Sequence, residues 1–369
     1  NTRIQVEHPV TERITSTNLI EWQLHIANGL TLPKSQNEIY LNGWSLEARL
    51  YAEDINKNFL PQSGCLHHLK FPKISDHPNC IIDTGSKKGD FISPYYDPMI
   101  AKIISHGKNR KEAINHLRNC LFDIEVAGIT TNLNLLKKLL KNNHFSEGDI
   151  YTKFVENNIE QFMDKDIEPQ LKALASLIIF NNLTPSQQNY WYNWKPITYP
   201  INITIGQRVT TFFITKTSNK NFEVAFNNQD FYFSSVSFYD STLKAKTKNK
   251  NFEVKFYVFK DKSTGNKNFT IFSDENTFDA VLKNSLTQDS VEQSKFEDSV
   301  FAPMHGIIKI NNLKIKNRVK KGDVLLKLEA MKMEYSLIAP RDGIIKEIFC
   351  KNGEQVTENS KLLNLEKIK

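Results

Sequence analysis

Long apolar runs are missing from this sequence. No stretch approaches the roughly 20 consecutive apolar residues that a membrane-crossing helix requires, so a helical membrane protein is not expected. Cysteine is scarce: Cys65, Cys80, Cys120 and Cys350 lie far apart, with no CxxC pair and no histidine clustered at metal-ligand spacing. That argues against a cysteine-ligated zinc core and a disulfide framework, and the four thiols are expected to be reduced and mostly buried in an intracellular protein. A glycine-rich phosphate loop is not found either. Positive charge is in formal excess, at +7, but it is scattered over lysine-rich loops with no aromatic-basic platform beside it, so nucleic acid is not an expected partner. No leader segment and no initiating methionine open the chain, whose first residues already read like the middle of a strand; a fragment of a longer protein is expected.

What is present starts with length. At 369 residues, 40% of them hydrophobic and 24% charged, the chain is too long for one typical core, and two or three globular domains are expected. Near the C-terminus the sequence repeats itself. Ala302-Pro303-Met304-His305-Gly306-Ile307-Ile308-Lys309 recurs as Ala339-Pro340-Arg341-Asp342-Gly343-Ile344-Ile345-Lys346, and the same spacing carries Val319 onto Val356, Leu325-Leu326 onto Leu362-Leu363 and Leu328-Glu329 onto Leu365-Glu366. A repeat held in register across apolar pairs implies two similar β-units that bury their apolar faces on each other. At the junction stands Glu329-Ala330-Met331-Lys332-Met333-Glu334. A lysine at a hairpin tip projects an unhindered amine into water, and methionines beside it form a soft apolar collar. That suits a lysine carrying a covalent group; a plain surface lysine on a turn has the same pattern.

The chain opens on Asn1-Thr2-Arg3-Ile4-Gln5-Val6-Glu7-His8-Pro9-Val10-Thr11-Glu12, polar and apolar in alternation, which predicts a strand with one wet face. Asn1, Arg3, Gln5 and Glu7 would share that face. Such a row can clamp an anion and supply a base; a solvated edge strand with an incidental ion pair accounts for it equally well. Asn18 and Glu21 stand at capping-box spacing ahead of Ile20, Leu24 and Ala27, so a helix is expected that Gly29 stops. Leu46 to Asp54 alternates again before a Pro61/Gly64 turn, and Asn109 to Leu121 and Leu133 to Leu140 carry helical periodicity.

Farther on, Pro169 begins a segment apolar on nearly every side, expected to be a buried helix. Between Gln207 and Phe272 at least five period-two runs, among them Phe222/Val224/Phe226 and Phe252/Val254/Phe256/Val258, predict a sheet or barrel wrapped around that helix. The aromatic residues here are expected to be core rather than ligand site. Residues 287–299 are polar and are expected to form a linker that lets the last domain swing.

Five stretches carry a family resemblance. The repeat with Ala330-Met331-Lys332-Met333 resembles the biotinyl (biotin carboxyl carrier) domain, whose modified lysine stands in this motif; the related lipoyl domain usually has other residues beside its lysine. The opening twelve residues resemble the signature of biotin carboxylases of the ATP-grasp superfamily. Glu47-Ala48-Arg49-Leu50-Tyr51-Ala52-Glu53-Asp54 matches the same family's Glu-x-Arg-x-x-Ala-Glu-Asp pattern, and Tyr95 to Lys102 and Gly128 to Asn132 also follow the family.

The resemblance implies the C-terminal part of the α subunit of a biotin-dependent acyl-CoA carboxylase. Its fold would be multidomain α+β: the end of an ATP-grasp biotin carboxylase at residues 1–160, a helix-plus-β-barrel docking domain of the BT type at 161–284, a linker at 285–299 and a flattened all-β biotinyl/lipoyl-type barrel at 300–369. The docking assignment rests on order and size, not on a motif. The resemblance implies that Asn1 is a ligand or near neighbour of the ATP-bound Mg2+ or Mn2+, that Arg3, Gln5 and the Val6 backbone bind bicarbonate, and that Glu7 is its general base. Arg49 would stabilise the biotin enolate, Lys332 would carry the covalent biotin, and Tyr95 to Lys102 would be structural. The activity would be a ligase forming C–C bonds with ATP as cofactor, silent in this fragment without the family's upstream ATP-binding half. Implied partners are a carboxyltransferase β subunit in a hetero-oligomer, biotin protein ligase, and an acyl-CoA bound on the β subunit. Thr2 and the Glu-Ala-Arg context favour 3-methylcrotonyl-CoA over propionyl-CoA. The setting would be bacterial cytoplasm or, in a eukaryote, the mitochondrial matrix. A pyruvate carboxylase is disfavoured, because its transferase domain does not fit between 161 and 297. The reading from another class is a non-catalytic biotinylated carrier and docking module.

Overall fold

The computed structural model describes residues 3–163, 166–183, 196–206, 208–261, 265–273, 276–282, 299–310, 313–330, 333–357 and 359–366. Asn1, Lys332 and the expected linker over 285–298 lie outside the described residues. Within them the chain builds three units in sequence order.

The first unit centres on a three-stranded antiparallel sheet in which Met99–Gly107 runs between Trp44–Tyr51 and Cys80–Thr84. Period-two alternation sends Ala48 and Leu50 into a core shared with Ile114, Leu117 and Leu121 of the Arg110–Phe122 helix. Asn109 starts that helix by accepting the Glu112 backbone N–H at 2.9 Å, a cap that satisfies one of the free donors of the first turn. Asn132, 6% exposed, is wedged under the edge of the sheet. Its amide donates to the Arg49 carbonyl at 3.1 Å, and its side-chain oxygen accepts the Tyr51 N–H at 2.9 Å. Gly128, at φ +103°, holds a left-handed turn leading into this segment, where a Cβ would fall on the Cys65 carbonyl oxygen.

The opening segment departs from expectation. Arg3–Glu7 forms no strand, and His8–Thr15 is an α-helix with Glu7 at its N-cap position and Pro9 in its first turn. Proline's fixed φ and missing N–H suit that position, whereas alternation without a neighbouring strand to bond is no strand signal at all. The Leu19–Ala27 helix forms as expected, with the Asn18 side chain accepting the Glu21 N–H at 3.0 Å and Gly29 at φ +75° beyond its end. Its apolar side chains are not buried by the described residues: Ile20, Leu24 and Ile26 are all about half exposed or more.

The second unit is a closed eight-stranded antiparallel barrel, from Thr198–Ile205 round to Thr277–Leu282, which pair with each other to close it. Its axis is filled by the Pro169–Leu183 helix, in which every residue from Ala173 to Phe180 is buried. Inward-facing Ile203, Phe212, Ile214, Val224, Phe233 and Phe269 pack around that helix. The aromatic load is thus core. A barrel was one of the two expected shapes; closure removes both exposed sheet edges.

The barrel leans on the first unit along a polar seam. Asn134 donates to the Thr277 carbonyl and accepts the Thr277 N–H, both at 3.0 Å. Glu125, 7% exposed, takes a hydrogen bond from His68 at 2.9 Å and an ion pair from Lys255 at 3.3 Å, while the His68 ring stacks on Tyr257 at 4.4 Å.

The third unit is a sandwich of two four-stranded sheets, and the internal repeat explains its order. Gly306–Lys309, Arg318–Val319 and Val324–Ala330 correspond to Gly343–Ile348, Gln355–Val356 and Lys361–Glu366. Each half lends a short strand to the other: Gly306–Lys309 pairs with Gln355–Val356, and Gly343–Ile348 with Arg318–Val319. The repeated glycines have one cause. A Cβ on Gly306 would stand 2.7 Å from the Glu329 carbonyl oxygen, and one on Gly343 would stand 2.9 Å from that of Glu366, the equivalent residue. Ser299, expected in the linker, opens the first strand of this sandwich, where its hydroxyl bonds Asn364 at 2.6 Å.

Candidate functional site

The wet face of the central sheet gathers the charged residues of the first unit. In the antiparallel register Asp83, Lys102 and Arg49 stand directly opposite one another across three strands. Two cations facing each other repel. Acids on either side offset this: Lys102 pairs with Asp83 at 3.3 Å, and the Arg49 Nε donates to Glu47, two residues earlier on the same face, at 2.9 Å.

Both cations also hold the segment before the first helix. The Arg49 Nη2 donates to Glu7 Oε2 at 3.1 Å, and the Lys102 ammonium donates to the Val6 carbonyl at 3.3 Å. The Gln5 carbonyl accepts both the His8 N–H, at 3.2 Å, and the His8 Nδ1, at 2.7 Å, so it turns the chain into the helix. Of the residues singled out in the sequence, Glu7 and Arg49 are in direct contact, and Gln5 and Val6 sit beside them through their backbones. Arg3 is exposed at the start of the same segment. Asn1 and Lys332 are not described.

Arg49 is half-exposed at 39% of its side chain, Glu7 is exposed at 56%, and Glu47 is nearly buried at 6%. Partial burial works against the Arg49 charge, but the hydrogen bond and negative charge of Glu47, helped by Tyr51 and Glu7, outweigh it and hold the guanidinium above its ordinary value. It is a fixed cation at any working pH. The second oxygen of Glu47 is buried with no partner, so Arg49 alone compensates that carboxylate. Such an arrangement presents a cation held from behind by Glu47, with the exposed Glu7 carboxylate in front, at a face open to water.

Lys102 and Glu47 belong to this group, although the sequence reading placed Tyr95 to Lys102 as structure. For Lys102 the signal is cross-strand register, which sets it opposite Arg49; for Glu47 it is the two-residue spacing to Arg49 on one strand face, which the sequence did carry. Among the described residues no group of three or more His, Cys, Asp or Glu side chains is placed to hold a metal ion.

The carrier hairpin is built by Val324–Ala330 and Met333–Ile338, with Ala330 opposite Met333, so residues 331 and 332 connect its strands. Glu329, Lys309, Glu334 and Lys327 ring its base through ion pairs of 2.8 to 3.2 Å. All are exposed and contribute little to stability.

Comparison with known proteins agrees with this division. Residues 47–157 match the family described as biotin carboxylase C-terminal domain, residues 312–365 the biotin-requiring enzyme family, and residues 1–35 the ATP-binding domain of the carbamoyl-phosphate synthase L chain. The mitochondrial methylcrotonoyl-CoA carboxylase α subunit of Mus musculus is 32% identical over 352 residues, which is 90% of this chain and 48% of that protein. Its counterpart from Arabidopsis thaliana is 43% identical over 175 residues, 47% of this chain and 24% of that one. The mitochondrial propionyl-CoA carboxylase α chain of Caenorhabditis elegans is 39% identical over 194 residues, 51% of this chain and 26% of that one. Among solved structures, the biotin carboxylase domain of Hydrogenobacter thermophilus 2-oxoglutarate carboxylase, in complex with MgADP, ADP and bicarbonate, is similar at 37% identity and a TM-score of 0.43, over 45% of this chain and 36% of that one. This chain spans at most about half the length of these curated relatives. The chain thus joins a stretch matching the biotin carboxylase C-terminal domain, residues 47–157, to one matching the biotin-requiring enzyme domain, residues 312–365.

Proposed function

We propose that this chain works as the C-terminal part of the α subunit of a biotin-dependent acyl-CoA carboxylase. The observation that carries the reading is the Glu7–Arg49 contact at 3.1 Å, made in a chain that also holds a carrier-type repeat. In this reading Arg3, Gln5 and the Val6 backbone hold bicarbonate, and Glu7 takes its proton. Arg49 supplies the positive charge that a developing biotin enolate requires, oriented before the reaction by Glu47 and Asn132, and a charge fixed in advance needs no reorganisation when the oxyanion forms. Lys102 keeps the Val6 carbonyl and its neighbours in place. Lys332 would carry biotin, and Asn1 would help hold the Mg2+ or Mn2+ of ATP, which when bound would supply the phosphoryl group that activates bicarbonate.

The helix-filled barrel would be the docking domain for a carboxyltransferase β subunit. The Mus musculus α-subunit relative matches across 90% of the chain, which takes in the barrel, and that supports the assignment. The methylcrotonoyl-CoA relatives favour 3-methylcrotonyl-CoA as acceptor, in the mitochondrial matrix in a eukaryotic host; the propionyl-CoA match keeps the shorter acyl group as the second reading. In the full-length subunit Glu7→Gln is expected to remove bicarbonate-dependent ATP turnover while Lys332 remains biotinylated. Wild-type turnover in that variant would overturn the assignment.

A further inference from the structure

Among the described residues the third unit meets the first at the Asn58–Leu60 turn and at Tyr95, and both lie on continuations of the strands that carry the candidate site. Nine residues beyond Arg49, after a short 3-10 turn capped by Asp54, Asn58 and Phe59 both take left-handed backbone, at φ +56° and +58°. Asparagine tolerates that conformation; for phenylalanine it is strained, and such strain persists only where surrounding contacts hold it. Here the strained turn aims two groups at the carrier. Leu60, 5% exposed, packs into the carrier's hydrophobic core, where it is the single buried residue from outside the sandwich among the described residues. The Phe59 carbonyl stands 3.5 Å from the Tyr335 hydroxyl. Seven residues before Lys102, the Tyr95 hydroxyl, on a ring 67% exposed, accepts a hydrogen bond from the Gln355 amide at 2.7 Å.

Neither contact is needed to fold the first unit. Leu60 makes only a two-residue ladder there, with Asp54 and Glu53 opposite Leu60 and Pro61, and its side chain belongs to neither of that unit's cores. On the carrier side, Tyr335 lies on the hairpin strand Met333–Ile338, three residues past Lys332 in sequence.

We propose that the Asn58–Leu60 turn and Tyr95 form the docking seat on the carboxylase unit that holds the carrier domain by Tyr335 and Gln355. The inference rests on the functional reading above for the purpose of the seat, but not for its existence. The electrostatics of the seat agree with close apposition. Burial and the Asp97 charge push the Glu53 carboxyl up to about 7, and burial together with Glu53 pushes the Tyr335 hydroxyl up to about 12.

The test uses the biotinylated full-length subunit and the variants Leu60→Asp, Gln355→Ala and Tyr335→Phe. Labelled bicarbonate incorporated into the tethered biotin is expected to fall about tenfold with Leu60→Asp and about two- to threefold with each milder variant, while ATP-dependent carboxylation of added free biotin stays unchanged, because free biotin does not use the seat. Equal tethered rates in all four proteins would overturn the proposal. If the wild type carboxylates neither form, the functional reading fails. Hydrogen exchange on this chain then decides the seat alone: Leu60→Asp must raise exchange at residues 333–338, and unchanged protection there refutes it. Gln355→Ala, an exposed change, keeps the test sound should Leu60→Asp misfold.

Discussion

Replacing Arg49 by alanine should destabilise the first unit before it affects any chemistry, and the structure sets the size. Glu47 is 6% exposed; one of its oxygens is bonded only to the Arg49 Nε at 2.9 Å and the other is buried without a partner. Removing the guanidinium strands that carboxylate. Breaking a fully buried pair from one side costs about 3–5 kcal/mol. Arg49 is 39% exposed, so water reaches the site and the expected cost falls to about 2–3 kcal/mol. The Glu7 branch adds little, because Glu7 is 56% exposed and such pairs contribute roughly 0.2–1 kcal/mol. Urea unfolding of wild type, Arg49→Ala, Glu47→Gln and the double variant measures this as a cycle. Glu47→Gln should recover about half of the loss in the Arg49→Ala background, a coupling of about 1–2 kcal/mol. A loss below about 0.5 kcal/mol for Arg49→Ala, or no coupling, would refute the claim that Arg49 compensates Glu47. The double variant also separates fold from function: with stability restored, biotin carboxylation in the full subunit should still be lost.

Two further perturbations test the contacts between units. Asn134→Leu removes both hydrogen bonds to Thr277 and leaves a backbone donor and acceptor without partners; a loss of about 1–3 kcal/mol is expected, read as faster hydrogen exchange over residues 277–282, and unchanged exchange there would contradict the seam. Glu53, buried and beside Asp97, makes stability sensitive to pH. Its folded value, about 7, lies above the ordinary 4.5, so the folded form binds more protons between the two. Stability contributed by the protonated group is present at pH 4.5 and below, falls as pH rises toward 7, and then levels off. Thermal melts from pH 5 to 8 should show this slope in wild type and lose it in Glu53→Gln; an unchanged slope would remove Glu53 as the cause.

Those parts of the sequence whose signals are local proved legible. The cap at Asn18, the helical period over Asn109 to Leu121, the all-round apolar run after Pro169 and the repeat around Gly306 and Gly343 each carry their cause within a few residues or one spacing. The barrel was legible as alternating strands, but its closure through Thr198–Ile205 and Thr277–Leu282 depends on contacts more than seventy residues apart. The opening segment misled because alternation was given more weight than Pro9, which belongs in the first turn of a helix. At the candidate site, Glu7 and Arg49 came from a family motif, and the structure brings them together. Glu47 opens the same motif as Arg49 and Lys102 ends another matching stretch, but their charge roles were not read: a residue's partners across a sheet, as for Lys102, are set by register, and register is written in two strands at once. The docking seat was beyond sequence altogether: nothing in Asn58-Phe59-Leu60 announces a left-handed phenylalanine.

The central claim joins a carboxylase site to a carrier lysine, and one measurement bears on it most directly. The chain is purified from cells with an active biotin ligase, and its intact mass is followed by peptide mapping across residues 324–338. The account predicts a mass increase of one biotin, located on Lys332. An unmodified Lys332 in the presence of active ligase, or biotin on a different lysine, would contradict it.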